Sequence, residues 1–210
     1  MGLLQVRPEH YREISYDVKS WFPSYWHQIH EVLIRKPLRV LEIGVGNGFV
    51  SSYLRRAGIN LISSDIDTSL APDLVAMVTH LPFHDRSFDL VIAYQVLEHL
   101  PFDRFSECMA EMARVACRYV LISLPDRRPS LYIRVMIYPW AARELHLTFP
   151  LLIQRKHKFD GEHYWEIGKS GYHLRQILQV FKTSGLKVNG HYRVPEKPLH
   201  HLFIAESIIP

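Results

Sequence analysis

The sequence VLEIGVGNG, residues 40–48, joins an apolar run to three glycines at alternate positions. Its composition predicts a β-strand over 38–43, and the residues that follow predict a helix over 49–57 that ends at Gly58. The glycines therefore form a strand-to-helix turn. In such a unit, glycine permits the sharp turn, lets a ligand approach the backbone and lets the helix pack close to the strand.

This turn has two interpretations. A helix N-terminus offers N–H groups and a positive dipole end to a carboxylate or phosphate, but a tight turn without any ligand also explains the glycines. The spacing differs from the G-x-G-x-x-G of dinucleotide sites, and the Lys-Ser/Thr pair of triphosphate-binding loops is missing. Asp65 ends the next predicted strand, where it can accept from ribose hydroxyls or cap the following helix. Together these features favour a ribose-bearing ligand.

Strands and helices alternate after this unit. Further strands are predicted over 75–78, 88–94 and 119–123, with a helix over 104–115. The stretch FDLVIAY at 88–94 is almost continuously apolar, which is typical of a strand buried on both faces of a parallel sheet. We therefore predict an α/β fold with a Rossmann-like, mostly parallel sheet and helices on both faces.

The flanking segments complete one predicted domain. Apolar spacing predicts an N-terminal helical cap over 1–36, ahead of a core over 38–125. The segment 126–168 interrupts the alternation with Arg, Pro and aromatic residues, and we predict that it is a helical lid inserted after the fifth strand. A C-terminal helix and two adjacent strands follow over 169–210, and the strands predict a closing antiparallel hairpin.

Composition narrows the possible functions. The chain has 210 residues and a formal net charge of +4, without a concentrated basic stripe, so nucleic-acid binding is not favoured. Its two cysteines, Cys108 and Cys117, have apolar neighbours and predict neither a zinc site nor a redox pair. A reducing, cytoplasmic setting is the simpler inference. No apolar run reaches the ~18 residues of a membrane span.

A longer motif lies in LPFHDRSFDLVIAYQVLEHL, residues 81–100. Taken with Glu42, the alternate glycines and Asp65, it resembles the class I S-adenosylmethionine-dependent methyltransferases, in the group called methyltransferase type 11. The resemblance covers residues 38–125. It implies a seven-stranded sheet with one antiparallel strand near the C-terminus. It also implies S-adenosyl-L-methionine as cofactor and S-adenosyl-L-homocysteine as product.

The resemblance further implies which residues contact the cofactor. The glycine turn and Glu42 would hold the methionine end, Asp65 the ribose hydroxyls, and Ile66 a face of adenine. Other positions would meet the adenine edge or lie near the sulfonium. The implied cofactor-binding residues are Glu42, Gly44, Gly46, Gly48, Asp65, Ile66, Val78, Thr79, Tyr94 and Gln95.

Two positions leave this assignment open. Many relatives have an acid that accepts from the adenine amino group where this chain has Met77. Backbone groups or Thr79 would then have to serve that amino group. Asp67 is a second acid near the end of the strand, and it is a less favoured alternative to Asp65 as the ribose partner.

Methyl transfer requires few catalytic groups. It is an in-line displacement at an activated methyl, so alignment and exclusion of water matter most. A base is needed only where the acceptor must lose a proton. The candidate catalytic residues are His99, which follows the fourth strand, and His163 with Glu166, one helical turn apart in GEHYWEIG at 161–168.

A structural role is the alternative for both groups. The Glu98–His99 pair would organise its loop, and the 161–168 segment would anchor itself to the rim of the sheet through a buried aromatic residue. No metal site is predicted, because the His163–Glu166 pair has too few companion ligands in the sequence.

The segment 126–168 is expected to select the acceptor. It is apolar, aromatic and basic at once, which suits a lipid-like acceptor, a phosphate- or carboxylate-bearing sugar conjugate, or a membrane surface. Stacking on its tyrosines could also serve RNA. We favour a small-molecule or glycolipid-like acceptor methylated at oxygen. The alternatives are a cofactor-binding protein of the same fold without turnover, an RNA or protein methyltransferase and, more weakly, a dehydrogenase.

Overall fold

A computed structural model describes residues 18–136, 144–150, 155–159 and 161–208. The helices in these ranges are α1 (Phe22–Leu33), α2 (Phe49–Arg56), α3 (Phe105–Val115) and α4 (Leu174–Thr183). The strands are β1 (Arg39–Ile43), β2 (Asn60–Asp65), β3 (Leu74–Val75), β4 (Phe88–Tyr94), β5 (Ala116–Pro125), β6 (Ser130–Met136), β7 (Glu144–Pro150), β8 (Arg155–Lys156), β9 (Lys169–Ser170), β10 (Leu186–Val194) and β11 (Lys197–Ser207).

Seven of these strands form one sheet in the order β10-β11-β5-β4-β1-β2-β3. Strands β1 to β5 pair in parallel, whereas β11 is antiparallel to both β5 and β10. The predicted mostly parallel sheet with one reversed strand near the C-terminus is therefore confirmed. The chain progresses outward in opposite directions from β1 and β4, and such a switch point leaves a crevice at the carboxyl ends of the strands.

Apolar side chains cover both faces of the sheet because successive residues of a strand point to opposite sides. In β1, Val40 packs in a cluster with α1 and α2, while Leu41 packs in a cluster with α3 and α4. Leu90 and Val91 of β4 divide between the two clusters in the same way. All four side chains are fully buried. The near-continuous apolar sequence of β1 and β4 thus reflects their place in the middle of the sheet.

Two terminal elements follow the sequence prediction. Helix α1 lies within the predicted cap, of which residues 1–17 fall outside the described part of the chain. Strands β10 and β11 form the predicted closing hairpin, joined only through Pro195 and Glu196. Among the residues that the structure describes, no helix has the length and apolar content needed to cross a membrane.

The insertion after β5 differs from the prediction. Strands β6 and β7 pair in antiparallel register, so the helical lid is wrong for these residues. Leu145, Leu147 and Phe149 alternate with His146 and Thr148, a period of two that fits a strand and not a helix. Residues 126–129, 155–159 and 161–168 of the predicted lid also contain no helix, whereas residues 137–143, 151–154 and 160 lie outside the described part of the chain.

The two ends of this insertion are joined by backbone hydrogen bonds. The Ile167 N–H donates to the Pro125 carbonyl at 2.9 Å, and the Arg127 N–H donates to the Ile167 carbonyl at 2.9 Å. Asp126 and Ile167 form a parallel bridge between these bonds. The insertion therefore leaves and rejoins the domain at one place, beside the carboxyl end of β5.

Candidate active site

A cavity of about 480 Å³ lies at the carboxyl ends of β1, β2 and β4. It is lined by the glycine turn, by the residues that end and follow β2, by residues 76–79 and by residues that follow β4. All of the predicted cofactor-binding residues except Gly48 line it. The cavity therefore occupies the switch point of the sheet, where open α/β proteins bind ligands.

The glycine turn is packed directly against the segment that follows β4. Gly44 has a φ of +80°, and a Cβ added there would lie 2.3 Å from Cγ2 of Val96. Its N–H donates to the Ser64 carbonyl at 2.8 Å, which fixes the turn to β2. Gly48, with a φ of +71°, is the left-handed residue that starts α2. Only a residue without a side chain fits at Gly44, because both the backbone conformation and the space exclude Cβ.

Asp65 and Asp67 both line the cavity at the end of β2. Asp65 accepts from the Val45 N–H at 2.8 Å and from the Asp67 N–H at 2.9 Å, one bond to each carboxylate oxygen. It therefore holds the glycine turn in place and keeps further acceptor capacity. Asp67, not Asp65, caps the short helical turn that follows, by accepting from the Ser69 N–H at 2.8 Å.

The second oxygen of Asp67 differs from the first. The residue is only 5% exposed, and among the described residues its Oδ2 has no hydrogen-bond partner. A buried acceptor without a partner is costly unless a ligand supplies the donor. The end of β2 therefore presents two carboxylates to the cavity. Oδ2 of Asp67 still lacks a hydrogen-bond donor among the described residues.

Glu42 is a buried acid on the wall of the cavity. It is 3% exposed, and its Oε2 has no hydrogen-bond partner among the described residues. Burial raises the pKa of Glu42 to about 8, although a hydrogen bond from Ser51 and the charge of Arg55 act in the opposite direction. A cation in the cavity would favour the ionised carboxylate.

An apolar region of the lining follows Asp65 in the sequence. Ile66 is 41% exposed and lines the cavity together with Met77 and Val78. Thr79 is buried at the same wall, and its hydroxyl lies 3.2 Å from Nδ1 of His80. Met77 contributes no acceptor from its side chain here, so the difference from the family pattern noted in the sequence is present in the lining.

Two predicted residues end β4 at the cavity. The Tyr94 hydroxyl donates to the Gln28 carbonyl of α1 at 3.2 Å. Gln95 has a φ of +56°, which is uncommon for a residue other than glycine. Its backbone and side-chain amides both donate to Ser123 of β5, at 3.0 and 3.1 Å. These two bonds hold the strained backbone in place beside the lining.

Helix α1 supplies part of the lining that the sequence did not predict. Tyr25 and Gln28 of this helix reach the cavity, as does Trp21 immediately before it. The Asn47 side-chain amide donates to the Tyr25 hydroxyl at 2.9 Å, which connects the helix to the glycine turn. The sequence signal was the polar hydroxyl of Tyr25 within an otherwise apolar stripe of the predicted helix.

The candidate catalytic residues lie close together. Of these side chains, His99 lines the cavity, and its ring packs edge-on against that of His163 with 5.1 Å between centroids. His163 Nδ1 lies 3.1 Å from Oε1 of Glu166. Burial alone would raise the pKa of Glu166, but hydrogen bonds from His163 and Arg127 outweigh it and lower the pKa to about 2. Glu166 is therefore an ionised acceptor that orients His163.

Glu98 is buried beside the same histidines. The residue is fully buried, and neither carboxylate oxygen has a hydrogen-bond partner among the described residues. Burial raises the pKa of Glu98 to about 7. The sequence paired this residue with His99 but gave no sign that it meets His163.

The 161–168 segment is anchored to the residues that follow β4. The Tyr164 N–H donates to the Glu98 carbonyl at 2.9 Å, and the Trp165 indole N–H donates to the Leu100 carbonyl at 3.0 Å. The Trp165 side chain is fully buried and packs against Phe102 and Phe105. The anchoring role considered for this segment is therefore present, and it brings His163 to His99.

Comparison with known proteins shows which family the core of the chain resembles. A family model described as "Methyltransferase domain" matches residues 41–119. A Mycobacterium tuberculosis protein named a probable S-adenosylmethionine-dependent methyltransferase is 27% identical over 122 residues, which are 50% of this chain and 44% of that protein. Over residues 41–119 the chain is thus similar to the type 11 group of S-adenosylmethionine-dependent methyltransferases. The match spans less than half the length of this methyltransferase relative.

Solved methyltransferase structures share the fold. One is the 1,6-didemethyltoxoflavin-N1-methyltransferase of Burkholderia thailandensis with bound 1,6-didemethyltoxoflavin and S-adenosylhomocysteine. It has a TM-score of 0.63 and 16% identity, over 94% of this chain and 82% of that one. Another is magnesium protoporphyrin IX methyltransferase of Synechocystis with bound S-adenosylhomocysteine, with a TM-score of 0.60 and 14% identity, over 88% and 82% of the two chains.

Proposed function

We propose that this chain transfers a methyl group from S-adenosylmethionine to a small-molecule or glycolipid-like acceptor, at an oxygen atom. The observation that carries the proposal is the cavity, because one lining includes both the glycine turn and the segment that contains His99. We call residues 42–48, 65–67 and 76–79 the cofactor side, and residues 98–101 with 161–168 the acceptor side.

The residues of the cofactor side fit the chemistry of S-adenosylmethionine. Glu42 is a buried carboxyl with an unpartnered oxygen, which suits a cationic group. Asp65 and Asp67 offer carboxylate oxygens to ribose hydroxyls. The apolar wall that includes Ile66 and Val78 suits the face of adenine, and backbone groups or the Thr79 hydroxyl would serve its amino group in place of the acid that Met77 replaces.

The cofactor would supply an activated methyl on a sulfonium with a neutral leaving group. The protein then has to orient the acceptor, exclude water and take up a proton where the acceptor loses one. The His99 Nδ1–H donates to the Glu162 carbonyl at 2.9 Å, so in the neutral ring Nε2 is the basic nitrogen. We assign His99 as the proton acceptor, and His163 with Glu166 as residues that position it.

The size and chemistry of the lining support a small acceptor. The two structural neighbours described above act, by their names, on 1,6-didemethyltoxoflavin and magnesium protoporphyrin IX. The cavity of about 480 Å³, which would hold the cofactor as well as the acceptor, is in the range of small-molecule sites. A cofactor-binding protein without turnover is the second candidate, which Met77 favours because it removes an expected adenine contact.

Calorimetric titration with S-adenosylmethionine and with NAD tests the cofactor assignment. We expect saturable binding of S-adenosylmethionine and none of NAD. In the Asp65→Ala variant the affinity should fall by about 100-fold, because both the ligand contact and the bond to Val45 are lost. Binding of NAD alone, or an unchanged affinity in Asp65→Ala, would remove the proposal.

Transfer of labelled methyl from the cofactor into fractionated cell extract tests the acceptor. Label in an alkali-stable, low-molecular-weight or lipid fraction supports a small-molecule acceptor, and base-labile label indicates a carboxylate ester. Label in RNA or protein would contradict the proposed acceptor class. Cofactor binding without label in any fraction would favour the protein without turnover.

A further inference from the structure

Three side chains with metal-ligating atoms converge next to the cavity. Ligand-type atoms of Glu98, His99 and His163 all lie within 4.8 Å of one another. Around an ion with ligand distances of about 2.1 Å, tetrahedral ligands lie about 3.4 Å apart. Side-chain movements of little more than an ångström would therefore bring the three atoms to the spacing of ligands around one ion.

The carboxylate of this group is not hydrogen-bonded to any of the residues that the structure describes. Glu98 is fully buried, and neither of its oxygens has a hydrogen-bond partner among the described residues. Burial of an unpartnered carboxylate is among the most costly arrangements in a protein interior, and pairing or metal coordination offsets it. The backbone holds Glu98 there, because its carbonyl accepts the Tyr164 N–H at 2.9 Å. The side chain is thus held in a site that a cation would complete.

Both histidines have the orientation that metal ligands have in proteins. The His99 Nδ1–H donates to the Glu162 carbonyl at 2.9 Å, and His163 Nδ1 lies 3.1 Å from the ionised carboxylate of Glu166. Metal-ligating histidines almost always donate one ring N–H to a backbone carbonyl or a carboxylate, and the other nitrogen then carries the lone pair. In both rings that nitrogen is Nε2.

Glu166 is itself fixed as an outer partner. Its Oε1 accepts from the Nε–H of Arg127 at 2.8 Å, and Nζ of Lys169 lies 3.7 Å from its Oε2. The Glu166 side chain is buried. Because these cations keep Glu166 charged, it is a stronger acceptor for the His163 Nδ1–H and makes Nε2 more basic.

We propose that Glu98, His99 and His163 form a binding site for one divalent transition-metal ion of the zinc, cobalt or manganese kind. Two imidazoles and one carboxylate are a ligand set for such ions, and three protein ligands leave positions for another group. His99 lines the cavity, so an open position would face it. Resting on the proposed function, we assign that position to the acceptor oxygen, whose proton a bound metal ion would make more acidic. That proton would then pass to solvent, because a His99 that ligates the ion no longer serves as the proton acceptor.

Metal binding is measured apart from methyl transfer. The purified 210-residue chain is stripped with a chelator and dialysed. It is then titrated with Co²⁺, followed by visible absorption, and with Zn²⁺ and Mn²⁺, followed by calorimetry. We expect one equivalent of Co²⁺ with the intense bands of a low-symmetry site, displaced by Zn²⁺. Affinity should fall by at least about 100-fold in Glu98→Gln and His163→Ala, and by about 10- to 100-fold in Glu166→Gln.

His84→Ala is the matched control, because this histidine is exposed and outside the cavity lining. It should bind the metal as the wild-type chain does. S-adenosylmethionine affinity and thermal unfolding are measured on every variant without metal. Should Glu98→Gln fail to fold, His163→Ala carries the test, since His163 is only partly buried.

Two results would overturn the metal site. One is the lack of saturable binding by the stripped chain for any of the three ions. The other is one equivalent that persists with equal affinity in His163→Ala. Because cofactor affinity is measured on metal-free protein, a chain that binds cofactor but no metal rejects this site alone, and a chain that binds metal but no cofactor rejects the proposed function alone.

Discussion

The cofactor side is built from residues close together in the sequence, whereas the acceptor side joins segments that are far apart. On the cofactor side, the turn from 44 to 48 and the end of β2 are held together by Asp65, through one hydrogen bond to the Val45 N–H. On the acceptor side, residues 98–100 meet 161–165 through backbone and indole donors from Tyr164 and Trp165. The geometry of the cofactor side depends on the backbone conformation of the glycine turn. The geometry of the acceptor side depends on how the 161–168 segment is anchored.

This difference predicts which changes affect which side. A change in backbone conformation near Gly44 should disturb cofactor binding and leave the anchoring contacts intact. A change in the anchor should do the reverse. Three variants, two of them with a matched control, test this separation.

Gly44→Ala should have the largest effect. Its φ of +80° disfavours Cβ, and that atom would lie 2.3 Å from Val96. We expect a loss of about 2–5 kcal/mol in unfolding free energy from backbone strain and overpacking. Displacement of the turn should weaken cofactor binding by about 100-fold. Denaturant unfolding and calorimetry measure both quantities.

Gly58→Ala is the control for Gly44→Ala. Gly58 has a similar φ of +85°, but an added Cβ would meet nothing within 4 Å. It should lose about 1–2 kcal/mol through the left-handed conformation alone and keep wild-type cofactor affinity. Equal losses in the two variants would show that the contact between the turn and Val96 does not matter.

Glu42→Gln should change the pH dependence of stability. The pKa of Glu42 is raised by burial from 4.5 to about 8, so its protonated form stabilises the folded state. That stability is complete below pH 4.5 and is lost as the pH rises through the window to about 8. Without cofactor, the unfolding free energy of the wild-type chain should fall across this window by more than that of Glu42→Gln.

The same carboxyl should release a proton when the cationic cofactor binds at neutral pH. Calorimetry in two buffers of different ionisation enthalpy measures this release. The Glu42→Gln variant should release fewer protons than the wild-type chain when the cofactor binds. Identical stability profiles for the two proteins, together with identical proton release, would mean that Glu42 is ionised in the empty cavity.

Trp165→Phe should have the smallest effect on stability. It keeps a buried aromatic ring but removes the indole donor to the Leu100 carbonyl, at a cost of about 1 kcal/mol. Cofactor affinity should stay within about twofold, whereas methyl transfer and metal affinity should fall because His163 is less firmly placed. Thermal unfolding, calorimetry and labelled transfer measure the three quantities.

Trp26→Phe is the matched control for this variant, because Trp26 is 58% exposed on α1. It should leave stability, cofactor affinity and transfer unchanged. A Trp165→Phe variant with reduced cofactor affinity and unchanged transfer would contradict the separation of the two sides.

The sequence predicted the parts of the fold that are determined by residues adjacent in the chain. The alternate glycines from 44 to 48 and the apolar β4 carry local patterns that need no knowledge of distant contacts. The reversed strand β11 followed from the family resemblance. Asp65 was predicted to face the cavity that it lines because it ends the strand next to β1, and the carboxyl ends of adjacent parallel strands meet at one edge of the sheet.

Other features could not be predicted because tertiary contacts decide them. The β6–β7 hairpin was mistaken for helix because its Arg and aromatic residues obscured the alternation around Leu147. The meeting of Glu98 with His163 depends on the backbone bond from Tyr164, for which the sequence has no pattern. The contribution of Gln28 to the cavity depends on how α1 packs over the sheet.

The bridge between Asp126 and Ile167 has a consequence for how this domain diversifies. The segment between these two residues begins and ends at adjacent points of the fold. Backbone hydrogen bonds from the Ile167 N–H to the Pro125 carbonyl and from the Arg127 N–H to the Ile167 carbonyl join its two ends. A replacement of different length or composition would meet the sheet at the same two points and leave β5 and β11 in register. Insertions succeed where the chain ends to be joined already lie close together. The β6–β7 pair can therefore be exchanged while the glycine turn and the anchored 161–168 segment stay the same.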